Sequence, residues 1–238
     1  MRRGVGASKG FSMQTVVTVR RDVQAQSQAT AAEFRAARAA AGTLVVNLIS
    51  SPGAGKTSLL EATARHWQGQ RSLAVLVGDI ATDRDAQRLA PWAPVVQLTT
   101  GGACHLEIPL VERAFAELGG ASLDYLFVEN VGNLVCPASF DLGEHLRVVM
   151  LSVTEGDDKP AKYPKAFRTS QALVINKLDL LPYVPFSVET AAADARSIAP
   201  DLSVLPVCAR TGAGLEAWWT FLERERTSLL QAEQGRPA

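Results

Sequence analysis

The chain has little cysteine, little histidine and no net charge, and each shortage narrows its possible functions. Its 238 residues include three cysteines and three histidines, and 24 lysines and arginines balance 24 aspartates and glutamates. Three thiols without an export signal argue against a disulfide framework, so we expect each thiol to be reduced and available for packing or metal binding. Because the net charge is zero, long-range attraction to nucleic acid or to an acidic membrane is absent, and we expect neither as a partner.

Long apolar runs are missing as well. No segment approaches the run of about 18 apolar residues that would cross a membrane, and the opening Met1-Arg2-Arg3 is not followed by the apolar core of a secretory signal. These absences favour a cytoplasmic protein. The chain is 47% hydrophobic, which suffices for one large domain with a full core.

Short apolar segments alternate with helical patterns along most of the chain. The segments are rich in β-branched residues, as buried parallel strands are. They cover residues 44–49, 73–77, 95–98, 123–128, 146–153, 172–176 and 202–207. Helical patterns at 58–67, 82–90, 105–118, 187–198 and 215–230 separate most of them. The alternation predicts an α/β fold with a predominantly parallel sheet and helices on both faces.

The ends of the chain differ from this central region. Residues 1–22 carry five basic residues and one acid without a periodic apolar face, which predicts a flexible N-terminal tail. The alanine-rich residues 23–42 favour a peripheral helix. We therefore place the globular domain at residues 43–232 and expect residues 233–238 to form a flexible C-terminus.

A phosphate-binding loop follows the first predicted strand. Ser50 to Thr57 read S-S-P-G-A-G-K-T and precede a predicted helix, which is the context of a P-loop NTPase. Backbone N–H groups and the helix dipole would hold phosphate, Lys56 would neutralise the β- and γ-phosphates, and Thr57 would bind Mg²⁺. Ser50 stands where the strict pattern has glycine, and an ordinary glycine-containing turn is the alternative interpretation. The predicted nucleotide contacts in this loop are Gly53, Ala54, Gly55, Lys56, Thr57 and Ser58.

Two later segments indicate that the base is guanine. Residues 176–179 read N-K-L-D, in which the Asp179 carboxylate could accept hydrogen bonds from the guanine N–H donors while the Lys177 stem covers the base. Residues 208–212 read C-A-R-T-G, similar to the S-A-R or S-A-K loop of GTPases. Cys208 replaces the usual serine, and we expect it to be a small buried residue. The predicted base contacts are Asn176, Lys177, Asp179, Ala209 and Arg210.

Two strand ends supply acids for the Mg²⁺ site. Asp79 ends the second predicted strand, and Glu129 begins E-N-V-G where GTPases usually have D-x-x-G. Glu129 could orient the Mg²⁺ shell or the attacking water, and Gly132 could sense the γ-phosphate. We predict Lys56, Asp79 and Glu129 as the catalytic residues and Thr57, Asp79 and Glu129 as the magnesium ligands. Asp85 fits a solvated helix-face acid as well as it fits a switch residue.

A second kind of site is indicated by Cys104, His105 and Cys136. Two thiolates and an imidazole suit Zn²⁺, and they also suit Ni²⁺. Three ligands are fewer than a closed structural zinc site uses, so water or a second subunit would complete the set. The alternative is that these residues are two buried thiols and one hydrogen-bonded histidine with no metal. Their position beside the predicted nucleotide sensor favours the metal site.

Taken together, the motifs resemble the HypB family, the hydrogenase-maturation nickel-incorporation GTPases whose third motif begins with glutamate. The resemblance covers about residues 47–215. The matching stretches are S-S-P-G-A-G-K-T (50–57), G-D-I-A-T-D-R-D-A (78–86), G-G-A-C-H-L-E (101–107), E-N-V-G-N-L-V-C-P-A-S-F-D-L-G-E (129–144), T-E-G-D-D-K-P-A-K-Y-P (154–164) and N-K-L-D (176–179).

This resemblance implies a GTPase (G) domain at residues 43–232 that forms a homodimer with the metal site at its interface. Cys104, His105 and Cys136 fall on the family's metal positions, and the family also has serine at the position of Ser50. The implied partners are a small nickel- and zinc-carrying accessory protein and the hydrogenase large subunit. Residues 1–40 contain neither cysteine nor histidine, so we expect the N-terminal nickel site and the histidine-rich store of some members to be missing.

The resulting hypothesis is a GTP-hydrolysing metallochaperone in which GTP and Mg²⁺ control the affinity for Ni²⁺ or Zn²⁺. Three alternatives remain open. The first is a non-catalytic dimer in which metal acts only as a staple. The second is a related GTPase serving urease or a cobalamin enzyme, which would have a different cysteine context from C-H-L-E and N-L-V-C-P. The third is a small-molecule P-loop kinase, against which N-K-L-D argues.

Overall fold

Seven parallel strands form one sheet in the structure, a computed structural model that describes residues 13–79 and 84–235. Their order across the sheet is β3-β2-β4-β1-β5-β6-β7. The strands are β1 (Leu44–Ser50), β2 (Leu73–Asp79), β3 (Val95–Thr99), β4 (Tyr125–Gly132), β5 (Leu146–Ser152), β6 (Ala172–Asn176) and β7 (Ser203–Pro206). All seven predicted strands are therefore present, and the predicted α/β class with a parallel sheet is confirmed.

Helices cover both faces of this sheet. The helices are α1 (Met13–Ala40), α2 (Lys56–Trp67), α3 (Arg84–Leu89), α4 (Ile108–Ala116), α5 (Lys159–Lys162), α6 (Pro164–Arg168), α7 (Val188–Ile198) and α8 (Leu215–Gln234). Short 3₁₀ helices occupy Pro137–Ser139 and Leu178–Tyr183. Among the described residues, no helix is both long enough and apolar enough to cross a membrane.

Alternating strand residues divide the core into two halves, because successive side chains point to opposite faces of a sheet. Val46 and Leu48 of β1 pack with apolar residues of α2 and α8. Val45 packs on the other face with α1 and α4, and Ile49 packs there with α6 and α7. Both faces of the central strands are fully buried, as their continuous apolar sequence predicts.

The helices differ from the sequence prediction in two places. Helix α1 begins at Met13 and so includes residues 13–22, which the prediction assigned to a tail. The segment Met13–Ala40 contains neither proline nor glycine, so no residue stops the helix at its start. Residues 1–12 lie outside the described part of the chain. Helices α5 and α6 were not predicted, because they are too short to give a periodic pattern.

The sheet order brings the motifs to one edge. The strands that precede them, β2, β4, β1 and β6, all end at the carboxyl edge of the parallel sheet, where ligands of open α/β folds bind. Strand β4 lies between β2 and β1, and Glu129 is level with Val77 on one side and Leu48 on the other. The acid of the third motif thus lies next to the phosphate loop.

Candidate functional site

The phosphate loop joins the end of β1 to the start of α2. Lys56 is 7% exposed and its Nζ donates to Ser50 Oγ at 3.0 Å, so the serine that replaces glycine contacts the loop lysine. Gly55 precedes α2 with φ +97°, and a Cβ at this position would collide with Nδ2 of Asn176. Only glycine tolerates both the left-handed backbone and this close approach.

Glu129 and Thr57 form the buried centre of the phosphate site. The Thr57 hydroxyl donates to Oε1 of Glu129 at 2.8 Å, and Glu129 is 4% exposed. Burial raises the pKa of Glu129 from 4.5 to about 7, although the Lys56 charge and the Thr57 hydrogen bond act in the opposite direction. Oε2 of Glu129 is buried and lacks a hydrogen-bond partner among the described residues. A buried carboxylate oxygen beside a hydroxyl fits Mg²⁺, which prefers oxygen ligands.

Asp79 and Gly132 lie at the strand ends on either side of this centre. Asp79 ends β2, and its side chain is outside the part of the structure that is described, as are Thr82 and Asp83. Gly132 ends β4 against the phosphate loop, where an added Cβ would lie 2.9 Å from Cα of Pro52. The predicted sensor glycine is thus in direct contact with the loop that would hold phosphate.

Two adjoining clefts lie beside the predicted nucleotide-binding segments. A cleft of about 600 Å³ is lined by the N-K-L-D and C-A-R segments, and one of about 450 Å³ is lined by the phosphate loop and the end of β4. Both clefts are lined by Gly55, Ser58, Arg88 and Lys177. The first is called the base cleft and the second the phosphate cleft below, and their shared lining residues make them adjacent.

Asp179 is held in the base cleft by two donors. Its carboxylate accepts from Cys208 Sγ at 2.8 Å and from Arg210 Nη2 at 2.7 Å. These hydrogen bonds, first that of Cys208 and then that of Arg210, lower the pKa of Asp179, so the group is ionised and ready to accept N–H donors. Cys208 is 1% exposed, as predicted for a small buried residue, and it also supplies the donor that serine would supply.

Asn176 and Lys177 join the base cleft to the phosphate loop. Asn176 Nδ2 donates to the carbonyl of Ala54 at 3.0 Å, and its Oδ1 accepts from the backbone N–H of Ala209 at 3.0 Å. Lys177 has φ +65°, and its Nζ donates to the carbonyl of Gly53 at 2.6 Å. The N-K-L-D segment therefore contacts both the phosphate loop and the C-A-R segment through its own side chains.

Arg88 lines both clefts, although the sequence predicts only that it is a basic residue of a helix. Its Nη2 donates to Ser58 Oγ at 3.1 Å and to Glu61 Oε2 at 2.9 Å. Asp85, which had two interpretations, lines the phosphate cleft and lies 3.8 Å from Arg88. The helix spacing of three residues could have suggested this pair but not its place in the site.

Cys104, His105 and Cys136 come together beside the phosphate cleft. Cys104 and His105 lie in the loop between β3 and α4, and Cys136 lies just beyond β4. The sulfur atoms of the two cysteines are 2.8 Å apart, and the possible ligand atoms of all three residues lie within 4.8 Å of one another. Three such donors at this separation can surround one transition-metal ion.

Two neighbours orient the His105 ring. Nδ1 of His105 lies 3.8 Å from Cys104 Sγ, whereas Nε2 lies 3.4 Å from Oε1 of Glu107. The ring stacks on Phe140 with a centroid distance of 3.7 Å. Nδ1 therefore faces the thiols and Nε2 faces a carboxylate, which is how histidine ligands are usually held. Neither Glu107 nor Phe140 was predicted to support the site.

Comparison with known proteins agrees with this geometry. A family model described as CobW/HypB/UreG, nucleotide-binding domain, matches residues 43–206. The hydrogenase maturation factor HypB of Azotobacter chroococcum mcd 1 is 47% identical over 224 residues, covering 94% of this chain and 73% of that protein. The hydrogenase/urease maturation factor HypB of Helicobacter hepaticus is 39% identical, covering 88% of each.

A solved structure shares the fold. The crystal structure of HypB from Helicobacter pylori in complex with nickel matches with a TM-score of 0.81 and 37% identity, covering 85% of this chain and 96% of that one. The family model and the relatives both match most of this chain. The chain therefore belongs to the HypB hydrogenase maturation factors of the CobW/HypB/UreG family.

Proposed function

We propose that this chain is a GTP-hydrolysing metallochaperone that binds nickel at Cys104, His105 and Cys136 and assists its insertion into [NiFe]-hydrogenase. The observation that carries the proposal is the meeting of these three side chains, within 4.8 Å, next to the β4 end that contacts the phosphate loop. Cys136 follows Gly132 by only four residues, so a change at the γ-phosphate has a short path to a metal ligand.

The nucleotide side of the proposal depends on residues already close together. Lys56 would neutralise the β- and γ-phosphates, and Thr57 and Glu129, with Asp79, would hold Mg²⁺. Glu129 would also orient the water that attacks the γ-phosphorus, while the bond from that phosphorus to the bridging oxygen breaks, GDP leaves with the oxygen and the water's proton passes to the released phosphate. Asp179 and Asn176 select guanine. The support is the hydrogen bond between Thr57 and Glu129 and the unpartnered buried oxygen of Glu129.

We further propose that GTP promotes a homodimer with the metal site at its interface. Three ligands leave a four-coordinate ion incomplete, and Cys104 is exposed, so a second subunit can approach. Val135, beside Cys136, is 59% exposed and offers an apolar contact. Hydrolysis would then weaken the dimer and release metal. A nickel- and zinc-carrying accessory protein and the hydrogenase large subunit are the proposed donor and acceptor.

Urease is a second candidate target, because the Helicobacter hepaticus relative is named as a hydrogenase/urease maturation factor. The same site chemistry would serve both targets, and Zn²⁺ would fit the same three donors as Ni²⁺. Delivery to purified hydrogenase large subunit and to apo-urease, measured side by side, distinguishes the two targets.

Nickel titration of the purified protein with GDP and with a non-hydrolysable GTP analogue tests the central proposal. We expect different nickel affinities in the two states, with dimer formation measured in parallel. Cys136→Ala should abolish nickel binding and keep GTP binding, whereas the control Cys208→Ser, outside the thiol pair, should keep nickel binding. Equal nickel affinities in both nucleotide states, or unchanged binding in Cys136→Ala, would refute it.

A further inference from the structure

Four buried polar side chains lie between the end of β4, which lines the phosphate cleft, and the start of β5. Asn47 and Asn130 are 0% and 1% exposed, and Glu144 and Arg147 are each 8% exposed. They belong to β1, β4, the turn before β5, and β5. Burial of such groups is costly unless each is hydrogen-bonded. Neither the nucleotide nor the metal needs these side chains as ligands, so their contacts point to another role.

Arg147 directs four of its five guanidinium hydrogen bonds to residues 138–144, which follow Cys136. Its guanidinium pairs with Glu144 and donates to the carbonyls of Phe140 at 2.7 Å and Ala138 at 3.3 Å. A further bond goes to Thr169 Oγ1 at 3.0 Å. With two bonds to Glu144, all five guanidinium N–H groups are engaged. Such a planar fork fixes the backbone it contacts in one geometry.

The backbone that Arg147 contacts adjoins two of the proposed metal ligands. Cys136 caps the short helix Pro137–Ser139, and Ala138 lies inside that helix. Phe140, whose carbonyl Arg147 holds, stacks its ring on His105 at 3.7 Å. Arg147 thus contacts the supports of two of the three metal ligands without contacting any ligand.

The opposite end of the network reaches the nucleotide sensor. Oε1 of Glu144 accepts from Asn47 Nδ2 at 3.3 Å, and Asn47 Oδ1 accepts from Asn130 Nδ2 at 3.2 Å. Asn130 Oδ1 accepts from the backbone N–H of Val131 at 3.0 Å. Asn130 follows Glu129, which binds the Thr57 hydroxyl. The hydrogen bonds are therefore continuous from the E-x-x-G loop to the backbone behind Cys136.

From this continuity we propose that Asn47, Asn130, Glu144 and Arg147 are positioning residues that transmit the nucleotide state to the metal ligands. The inference rests on the proposed function, since it concerns the coupling between the same two sites. Residues 132–136 give a direct path, and Leu134 in that path is 4% exposed and packs in the core with Ile49 and Val149. The buried network anchors the far side of the loop, so a shift of the sensor moves Cys136 and His105 together.

The test measures coupling, which a purely structural role would not change. In Asn47→Leu, a side chain of similar size removes the link between Asn130 and Glu144 and leaves the Arg147–Glu144 pair intact. The readout is the ratio of nickel dissociation constants with GDP and with a non-hydrolysable GTP analogue. We expect this ratio to approach one, while affinity for the GTP analogue stays within about threefold of wild type.

A second variant tests the same network in case Asn47→Leu does not fold. Arg147→Lys keeps the charge beside Glu144 but loses the fork that holds Ala138 and Phe140, and we expect the same loss of coupling. Thr63→Val is the control, since it removes a different buried hydrogen bond, from Trp218 Nε1 at 3.0 Å. Hydrogen exchange of residues 136–146 adds a readout independent of nickel, and the nucleotide-dependent change there should disappear in Asn47→Leu.

The outcomes separate this inference from the proposed function. Coupling in wild type that persists in folded Asn47→Leu and Arg147→Lys overturns the positioning role alone. Absence of coupling in wild type overturns the proposed function and the positioning role together. An equal loss of coupling in Thr63→Val assigns the effect to lower stability and also overturns the positioning role.

Discussion

The buried carboxyl group of Glu129 is stable when it is protonated or paired with a cation. In the protein without nucleotide and divalent cation, it should therefore make the free energy of unfolding depend on pH. Its pKa is about 7 when folded and 4.5 ordinarily. A carboxyl group whose pKa is higher in the folded than in the unfolded protein contributes its full stabilisation when the pH is below the unfolded pKa. That contribution is lost as the pH rises toward the folded value, by at most about 1.4 kcal/mol per pH unit.

We therefore expect wild type to lose stability relative to Glu129→Gln between about pH 4.5 and pH 7, with a constant difference at higher pH. Urea unfolding in EDTA at several pH values measures this difference. Saturating Mg²⁺ and nucleotide should reduce the pH dependence, because the cation stabilises the ionised carboxylate. Parallel stability profiles for the two proteins without ligand would contradict the raised pKa.

Glu107 is expected to support metal binding although it is not close enough to the thiols to be a ligand in the observed cluster. Its carboxylate faces Nε2 of His105 at 3.4 Å and keeps Nδ1 directed at the thiols. Glu107→Gln should weaken nickel binding by about tenfold, as the loss of such histidine partners does elsewhere. Isothermal titration with nickel measures the change.

Glu117→Gln provides the matched control for Glu107→Gln. Glu117 is an exposed acid at the end of α4, so its replacement removes the same charge without affecting His105. Equal weakening in both variants would show that net charge, not ring orientation, determines the affinity.

At the scale of elements, the end of β4 and the phosphate loop are packed too closely to move independently. A methyl group at Gly132 would lie 2.9 Å from both Cα and Cγ of Pro52. Gly132→Ala should push the two segments apart and weaken binding of a GTP analogue more than binding of GDP, by about tenfold. Fluorescent-nucleotide titration measures both affinities.

Gly235→Ala is the control at this scale, because a methyl group there would meet no atom closer than 3.7 Å. It should leave both affinities unchanged. If Gly132→Ala weakened GDP and the GTP analogue equally, Gly132 would be part of the general phosphate site and not a sensor.

The sequence predicted those features that depend on neighbouring residues. The apolar runs identified all seven strands, and S-S-P-G-A-G-K-T identified the phosphate loop because its glycines and lysine act within eight residues. The predicted start of α1 at residue 23 is wrong, because the alanine-rich stretch begins there but no proline or glycine interrupts the helix between Met13 and that residue. Helices α5 and α6 begin at or near prolines and end within five residues, too few for a periodic signal.

Contacts between residues far apart in the chain could not be predicted from the sequence. Nothing in the residue types shows that Arg147 would hold the carbonyl of Phe140, or that Phe140 would stack on His105, 35 residues earlier. The role of Cys208 as a donor to Asp179 was missed for the same reason, since 29 residues separate them. Such pairings follow from the sheet order, which places β4, β1 and β5 side by side and β7 beside β6.

At the scale of the whole molecule, coupling between the two sites must be reciprocal. If the GTP analogue changes the nickel dissociation constant by some factor, nickel must change that of the GTP analogue by the same factor. Titrations in both orders, at one protein concentration so that dimerisation contributes equally, measure the two factors. Unequal factors would mean that nickel also binds at a site outside the coupled pair.

The side-chain amide of Asn176 should lower the conformational entropy that is lost when a nucleotide binds. Because it bonds both Ala54 and Ala209, the protein without ligand already has its base and phosphate pockets fixed at one separation. Little ordering of these loops remains when a nucleotide enters, so the binding of GDP should be nearly rigid. The conformational freedom that GTP restricts would then lie in residues 133–136, between Gly132 and the thiol of Cys136.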